Sequence, residues 1–215
     1  VRGGTAVGDI LGDGRPQIAV ATDVGTVFAL RGNGEVLWSR PLGNNSGGTP
    51  VLGQLDGRGG YEILYVTKEP GQLWALKSSG QTLWTVPLPG RPCDPAIGDL
   101  EGNGTEEIVV GYSSADPNDS QQGVITIVDV GGHELRQFAV RGQKLERRGI
   151  NSVALADVDG DGHREIIVEC DDGGAYCFDS NGKERWCFMT KDSLNGFPSF
   201  ADLDNDGKTD VVIAG

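Results

Sequence analysis

The sequence is poor in basic residues, in histidine and in long apolar runs. Eighteen lysines and arginines stand against 31 aspartates and glutamates, so the net charge is −13, which argues against nucleic acid or an anionic membrane as a partner. No apolar run approaches the roughly 20 residues of a transmembrane helix, so no membrane insertion is expected. The two histidines, His133 and His163, fall in predicted loops, and no catalytic triad or general base is evident.

Helical periodicity is also absent, since no stretch of ten or more residues shows it. Glycine is abundant instead, with 35 residues, and glycine disfavours helices while permitting turns with φ > 0. Short runs rich in valine, isoleucine and leucine alternate with Gly/Asn/Asp turns, which is the pattern of antiparallel strands joined by hairpins. The chain is therefore expected to be all-β and long enough to bury a sizeable core.

One segment recurs five times along the chain. Four strand-length runs follow one another in each complete repeat, and four-stranded antiparallel sheets repeated about every 45 residues are typical of β-propeller blades. A β-sandwich with coincidentally regular turns is the alternative. The longest interval contains an insertion at residues 115–122. The common position of the repeats is Asp9, Gln54, Asp99, Asp157 and Asp202, at spacings of 45, 45, 58 and 45 residues.

The repeats predict a single propeller domain with four complete blades and half of a fifth. The last repeat shows only two strand-length runs, and an isolated arc of blades would leave sheet edges unpaired. We therefore expect part of a larger propeller, completed by missing blades or by partner chains. The predicted blades span residues 1–45, 46–90, 91–148, 149–193 and 194–215.

The loop after the first strand of each repeat is rich in carboxylates. Alternating acids, a glycine at position 6 and a main-chain carbonyl at position 7 form the donor set that Ca²⁺ prefers. Four carboxylates within nine residues would repel one another strongly without a cation, although Asp, Asn and Gly also form turns without any metal. In repeat four, positions 1, 3, 5, 7 and 9 are Asp157, Asp159, Asp161, His163 and Glu165. In repeat five they are Asp202, Asp204, Asp206, Lys208 and Asp210.

The other three loops keep this pattern to different degrees. Repeat one retains only Asp9 and Asp13, so a site there stays open. Repeat two has Arg58 at position 5, where its guanidinium could replace the ion by pairing with Asp56 or Glu62, and no metal is predicted. We therefore predict two Ca²⁺ sites, in repeats four and five, and a third in repeat three. The predicted ligands in repeat three are Asp99, Glu101, Asn103, Thr105 (through its carbonyl) and Glu107.

These loops, each followed by an apolar strand, resemble the FG-GAP and VCBS-type calcium-binding repeats found in integrin α-chain propellers and in many secreted or surface proteins. The resemblance covers all five repeats and is strongest at Asp157–Glu165 and Asp202–Asp210. It implies Ca²⁺ at the acidic positions given above and an extracellular, cell-surface or periplasmic location. The Phe-Gly and Gly-Ala-Pro signatures are absent as such, and Val168-Glu-Cys-Asp and Val212-Ile-Ala-Gly stand in for the latter.

A second similarity lies in the outer half of the repeats. Trp38, Trp84 and Trp186 end segments that look like the tryptophan-docking repeats of quinoprotein propellers, whereas repeat three has Arg136 at this position. A tryptophan here is expected to seal the gap to the next blade and to bond its N–H to a carbonyl. This structural role is expected rather than a quinone site.

Two further features concern cysteine and positive charge. Cys177 could face Cys187 across a hairpin and form a disulfide in an oxidising compartment, and packing as small residues is the alternative. The basic cluster at residues 141–148 could dock an acidic partner or a glycan, or be a solvated loop.

Three functions remain open from the sequence, because a propeller fold alone does not identify a ligand. The first is a non-catalytic, calcium-binding module of an extracellular or surface protein, which mediates adhesion, assembly or binding of a protein or glycan. The second is the propeller domain of a calcium-dependent polysaccharide lyase or of a quinoprotein-like enzyme. The third is an architectural subunit of a larger complex.

Overall fold

A computed structural model of the chain describes residues 4–43, 48–114, 123–140, 149–194 and 196–214. The described ranges contain strands and no helix, and so none that could cross a membrane. The predicted insertion at 115–122 and the basic cluster at 141–148 lie outside them.

The strands form successive antiparallel sheets, which we call blades 1 to 5 in chain order. Blade 1 contains β1 (Thr5–Gly8), β2 (Gln17–Ala21), β3 (Thr26–Arg31) and β4 (Val36–Pro41). Blade 2 contains β5 (Val51–Gly53), β6 (Glu62–Lys68), β7 (Gly71–Leu76) and β8 (Thr82–Pro87), and the short strand β9 (Gly90–Pro92) follows. Blade 3 contains β10 (Ala96–Gly98), β11 (Glu107–Ser114), β12 (Gly123–Asp129) and β13 (Glu134–Val140). Blade 4 contains β14 (Ile150–Ala156), β15 (Glu165–Cys170), β16 (Gly174–Phe178) and β17 (Glu184–Met189), and blade 5 contains β18 (Ser199–Ala201) and β19 (Asp210–Val212).

Within blades 1 to 4, strands that are consecutive in sequence lie side by side as a four-stranded meander. The described part of blade 5 has the first two strands of the same pattern. The prediction of an all-β chain built from four-stranded antiparallel repeats is therefore confirmed.

The chain divides into two compact units. Unit 1 comprises Val1–Pro95 and Val130–His133, and unit 2 comprises Ala96–Asp129 and Glu134–Gly215. In each unit the second and third strands carry the core. In blade 4, every residue of β15 and β16 is buried, because both faces of these inner strands are covered. The outermost strand β17 is half-exposed, and this gradient is what stacked sheets produce.

Tryptophans on the outermost strands of unit 1 hold the hairpin turn that follows one repeat later. The indole N–H of Trp38 donates to the carbonyl of Ser78 at 2.7 Å, and that of Trp84 donates to the carbonyl of Val130 at 2.8 Å. These contacts agree with the role expected from the sequence. In unit 2 the guanidinium of Arg136 donates to the carbonyl of Ser180 at 3.2 Å, so arginine makes the equivalent contact.

Trp186 in blade 4 lies in different surroundings. Together with Phe188, Val211 and Val212 it lines an apolar groove of about 400 Å³. Both valines belong to β19, so the ring faces the second strand of blade 5.

The turn glycine beneath Trp38 generates the first prediction. Gly80 has φ +79°, and a Cβ atom placed on it would lie 2.8 Å from the Trp38 ring. Gly34 occupies the equivalent turn of blade 1 with φ +88° and has open space around it. We expect Gly34→Ala to lose about 1–2 kcal/mol from the left-handed conformation alone. Gly80→Ala should lose about 1–3 kcal/mol more because the ring must move.

Urea-induced unfolding of the two variants, followed by far-UV circular dichroism, measures the difference. Equal losses for the two substitutions would contradict the prediction, because the Trp38 ring would then accommodate the added methyl group without cost.

Of the two alternatives for Cys177 and Cys187, the structure has the one in which they pack as separate side chains. The β16–β17 register places Cys177 opposite Trp186 and Cys187 opposite Tyr176, and both cysteines are free thiols. Burial raises the pKa of the Cys177 thiol to about 12. Cys177 is therefore a protonated, packed side chain at neutral pH.

One buried carboxyl group lies away from the acidic loops. Glu169 on β15 has no exposed surface, and Oε2 accepts the hydroxyl of Ser152 at 3.2 Å, while Oε1 has no partner among the described residues. Burial raises the pKa of Glu169, because desolvation disfavours the charged form. Blades 1, 2 and 3 have Ala21, Val66 and Gly111 at this position.

Because the pKa of Glu169 is raised in the folded state, ionisation of this group should lower the protein's free energy of unfolding as the pH rises. A folded-state pKa above the unfolded one contributes stability below the unfolded pKa, and that contribution is lost as pH rises through the folded pKa. Glu169→Gln should remove this loss and raise the urea midpoint at pH 8 relative to wild type. The exposed substitution Glu184→Gln in the same blade is the control. Identical pH profiles for wild type and Glu169→Gln would contradict the assignment.

Candidate metal centre

The acidic loops all join the first and second strands of their blades. Antiparallel pairing brings the two ends of each loop together, because Ala156 is opposite Glu165 and Ala201 is opposite Asp210. Loop positions 1 and 9 are therefore neighbours in every blade. The sequence predicted that the acids lie in this loop, and pairing of the two strands brings the ends of the loop close together.

The carboxylate at position 1 folds the loop around itself. In blade 4, Oδ1 of Asp157 accepts the N–H of Gly160 at 2.7 Å, and Oδ2 accepts the N–H of Gly162 at 3.0 Å. The acid therefore organises the loop through hydrogen bonds as well as through charge. The residues that accept two loop N–H groups in this way in blades 1, 3 and 5 are Asp9, Asp99 and Asp202.

Two positions of each loop have a left-handed backbone. The glycine predicted at position 6 has positive φ in all five loops, for example +88° at Gly162 and +85° at Gly207. Position 4 does too, and sequence reasoning missed it. This position is glycine in four loops and Asn205 in blade 5, where φ is +60°, and asparagine tolerates this region better than most residues. The recurrence of Gly or Asn at position 4 was the available signal.

The loop acids lie in different electrostatic surroundings. The N–H groups of Gly104 and Asn103 lower the pKa of Asp99, because they stabilise the charged carboxylate. At position 9, burial raises the pKa of Glu107 and Glu165, and neighbouring carboxylates add to the rise. Glu165 is 2% exposed and accepts the N–H of Val158 at 3.0 Å. Keeping this group ionised is costly unless a cation lies beside it.

Carboxylates gather closely enough for one ion in blades 4 and 5. One oxygen from each of three acids lies within 4.8 Å of the others in both loops. Ligands on opposite sides of a Ca²⁺ ion are about 5 Å apart at most, because each Ca–O distance is about 2.3–2.6 Å. The blade 4 group is Asp157, Asp159 and Glu165, and the blade 5 group is Asp202, Asp204 and Asp206.

Two predicted ligands stand outside these groups. Asp161 at position 5 of blade 4 accepts the N–H of His163 at 2.8 Å. Asp210 at position 9 of blade 5 accepts the N–H of Leu203 at 2.9 Å. The N–H of Lys208 is bonded to Asp206 at 2.8 Å, so the position 7 residues that were predicted to offer carbonyls use their N–H groups within the loop.

The third predicted site, in blade 3, is not brought together in the same way. Arg136 on β13 holds Glu101, with Nη2 2.6 Å from Oε1. Glu107 accepts the N–H of Leu100 at 2.9 Å, and Asn103 accepts that of Thr105 at 2.8 Å. The arginine supplies a positive charge to this loop from another strand.

The first two loops are organised without a group of three acids. In blade 1, the amide of Gln17 at position 9 donates to Asp13 at 3.1 Å. In blade 2, Nε of Arg58 lies 3.8 Å from Asp56, which agrees with the pairing considered from the sequence. The guanidinium is 83% exposed, so this ion pair contributes little to stability.

One more charged group, which sequence reasoning missed, reaches the loop of blade 4 from β17. Nη1 of Arg185 on β17 lies 3.2 Å from Asp159, and Nη2 lies 3.8 Å from Asp161 and 3.6 Å from Glu165. Arg185 immediately precedes Trp186 in the chain. The corresponding residues in blades 1, 2 and 3 are Leu37, Leu83 and Leu135, and this departure from leucine was the signal.

Comparison with known proteins agrees with the fold and with part of the repeat assignment. Residues 157–213 match the FG-GAP-like repeat family. This segment runs from the loop of blade 4 to the end of β19, so the resemblance read from the sequence is confirmed there. None of the curated proteins compared with the chain matches it.

Solved structures of β-propeller proteins superpose on nearly the whole chain. The Vibrio cholerae biofilm matrix protein Bap1 is 23% identical with a TM-score of 0.69, covering 97% of this chain and 34% of that one. The C-terminal domain of Pseudomonas aeruginosa PilY1 is 17% identical with a TM-score of 0.68, covering 93% and 52%. Quinohemoprotein alcohol dehydrogenase from Comamonas testosteroni is 13% identical with a TM-score of 0.60, covering 98% and 39%.

These likenesses establish the fold class. The sheets are blades of the β-propeller type, and the chain spans about a third to a half of the length of these three structures. Within that class, residues 157–213 form an FG-GAP-like repeat.

The double hydrogen bond at position 1 predicts a stabilising role that does not require metal. In Asp9→Ala, two loop N–H groups lose their acceptor, and the free energy of unfolding should fall by about 1 kcal/mol in buffer containing a chelator. Asp23→Ala, which removes an exposed acid from the β2–β3 turn, is the matched control. A loss for Asp9→Ala that matches the control, or that appears only with calcium, would contradict this role.

Proposed function

We propose that the protein is a non-catalytic, calcium-stabilised propeller module of an extracellular, cell-surface or periplasmic protein, whose loops take part in adhesion or assembly. The observation that carries the proposal is the recurrence, in two consecutive blades, of three carboxylate oxygens within 4.8 Å of one another. Both groups lie in loops of the same length and the same backbone conformation.

The chemistry of these groups favours Ca²⁺. Their donors are oxygen atoms, which hard cations prefer, and the loops offer more oxygen ligands than the octahedral shell of Mg²⁺ usually takes from a protein. Both groups gathered from the described residues consist of carboxylates alone, whereas zinc sites in proteins are built mainly from cysteine and histidine. In blade 4 the ion would be held by Asp157, Asp159 and Glu165, with Asp161 and the carbonyl of His163 completing the shell.

The same arrangement in blade 5 would use Asp202, Asp204 and Asp206, with Asp210 and the carbonyl of Lys208. Blade 3 offers the third proposed site, through Asp99, Glu101, Asn103, Thr105 and Glu107, once Glu101 leaves Arg136. An ion that binds the folded loops and not the unfolded chain stabilises the protein by mass action.

The structural neighbours support the proposed setting. Bap1 is named as a biofilm matrix protein, and we propose a comparable extracellular setting for this chain. The solved structures that superpose on the chain also include a quinohemoprotein alcohol dehydrogenase, and the sequence itself resembles quinoprotein propellers at its tryptophan positions. The indole N–H groups of Trp38 and Trp84 bond to carbonyls of hairpin turns, which supports a structural role for these tryptophans rather than a quinone site.

Calcium titration of the purified protein tests the proposal. We expect Ca²⁺ to raise the melting temperature, by an amount equivalent to about 2.7 kcal/mol for each site at one hundred times its dissociation constant. Calorimetric titration should give at least two ions per chain, and Mg²⁺ at equal ionic strength should stabilise much less.

A single substitution assigns the sites. Asp204→Asn should remove one ion from the stoichiometry, whereas Asp23→Asn, which makes the same charge change outside the loops, should not. The proposal fails if millimolar Ca²⁺ gives neither a heat of binding nor a thermal shift beyond that of Mg²⁺.

A further inference from the structure

We propose that Arg185 is a built-in cation that occupies the carboxylate group of blade 4 in the absence of metal, and that Ca²⁺ must displace it to bind there. This inference rests on the proposed function. It predicts two unequal calcium sites in one protein, with the weaker site in blade 4.

Arg185 contacts the acids that an ion would need. Its guanidinium nitrogens lie 3.2–3.8 Å from Asp159, Asp161 and Glu165, which occupy three of the four acidic loop positions. Asp159 and Glu165 also belong to the group of three gathered oxygens. A guanidinium this close to several ligand residues lies in or beside the space that an ion would fill.

The strand register explains how an outer strand reaches this loop. Glu165 begins β15, Ile166 is opposite Phe178 at the end of β16, and Phe178 is opposite Glu184 at the start of β17. The beginning of β17 and the acidic loop therefore lie at the same end of the blade. Arg185 spans the width of the intervening strand with its long side chain.

Arg185 and Ca²⁺ cannot both keep their preferred contacts. Ca²⁺ needs carboxylate oxygens at about 2.3–2.6 Å, whereas the arginine draws the same oxygens toward a planar donor. Two positive charges about 4 Å apart also repel each other, even in bulk water. The arginine side chain is 39% exposed, so it can swing into solvent when an ion arrives.

The two described strands of blade 5 and their loop hold no such arginine. The cation found beside its acids is Lys208, whose Nζ lies 3.9 Å from Asp206 and whose side chain is 68% exposed. Among the described residues, no arginine lies within ion-pair distance of Asp202, Asp204 or Asp210. The blade 5 group is therefore open to an ion at a lower cost.

Arg185 offers a cleaner test than Arg136 in blade 3. Arg136 pairs with Glu101 but also donates to the carbonyl of Ser180, so its removal would disturb packing. The described contacts of Arg185 are with loop acids alone. Leucine occupies its position in the other three complete blades, so Arg185→Leu restores the residue found in the rest of the fold.

The experiment measures calcium affinity for wild type, Arg185→Leu and the control Lys191→Gln, each in an Asp204→Asn background that removes the blade 5 site. Lys191 follows the opposite end of β17, and its substitution removes the same charge. We expect Arg185→Leu to tighten calcium binding about tenfold or more, and Lys191→Gln to leave it nearly unchanged. Without calcium, Arg185→Leu should melt at a lower temperature than wild type, because the loop acids lose their counter-ion.

The outcomes separate the two proposals. If wild type with intact loops binds no calcium, the proposed function fails. If it binds calcium but Arg185→Leu leaves the affinity unchanged or weakens it, the arginine does not compete with the ion and this inference is overturned. Arg185→Gln, which keeps a polar side chain, serves as the second variant if the leucine variant does not fold, and its affinity should also rise.

Discussion

The tight turn between the first and second strands of each blade is the constraint on which the rest depends. A chain that reverses through two left-handed positions leaves several N–H groups inside the loop without strand partners, and carboxylates at positions 1, 5 and 9 accept them. The acids therefore have a structural origin that is independent of any ion. The carboxylates that accept these N–H groups also concentrate negative charge in the loop, and the loops of blades 3, 4 and 5 each carry that charge. A cation in the loop, whether an arginine or a calcium ion, reduces the repulsion among these carboxylates.

The same division of roles runs through the blades. Inner strands such as β15 and β16 are buried on both faces and fix the sheet, while outer strands such as β4 and β8 hold the following hairpin through a tryptophan N–H. Within unit 1, the sheet of blade 1 is therefore tied to that of blade 2, as neighbouring repeats are in other repeat proteins. The acidic loops lie at strand ends, where a change of the cation beside the acids leaves the core unaltered.

The sequence predicted what local chemistry determines. Alternating apolar runs and Gly/Asn/Asp turns identified the strands, the glycine at position 6 has the expected left-handed backbone, and the indole N–H groups of Trp38 and Trp84 have the carbonyl partners that their position implied. The features that could not be predicted depend on the strand register and on how far a long side chain extends. Cys177 and Cys187 lie on neighbouring strands but are not opposite each other in the β16–β17 register, and the pattern of apolar residues does not determine which residues of a hairpin are paired. Arg185 contacts the acids of the blade 4 loop from the far side of β16, and only folding brings these groups within contact distance.

The most direct test of this account is a crystal structure of the protein grown with millimolar calcium, with anomalous diffraction to identify the ion. The account predicts anomalous peaks in the loops of blades 4 and 5, each about 2.3–2.6 Å from its carboxylate oxygens, with Arg185 turned away from the peak in blade 4. Well-ordered loops without a peak in either blade would contradict it.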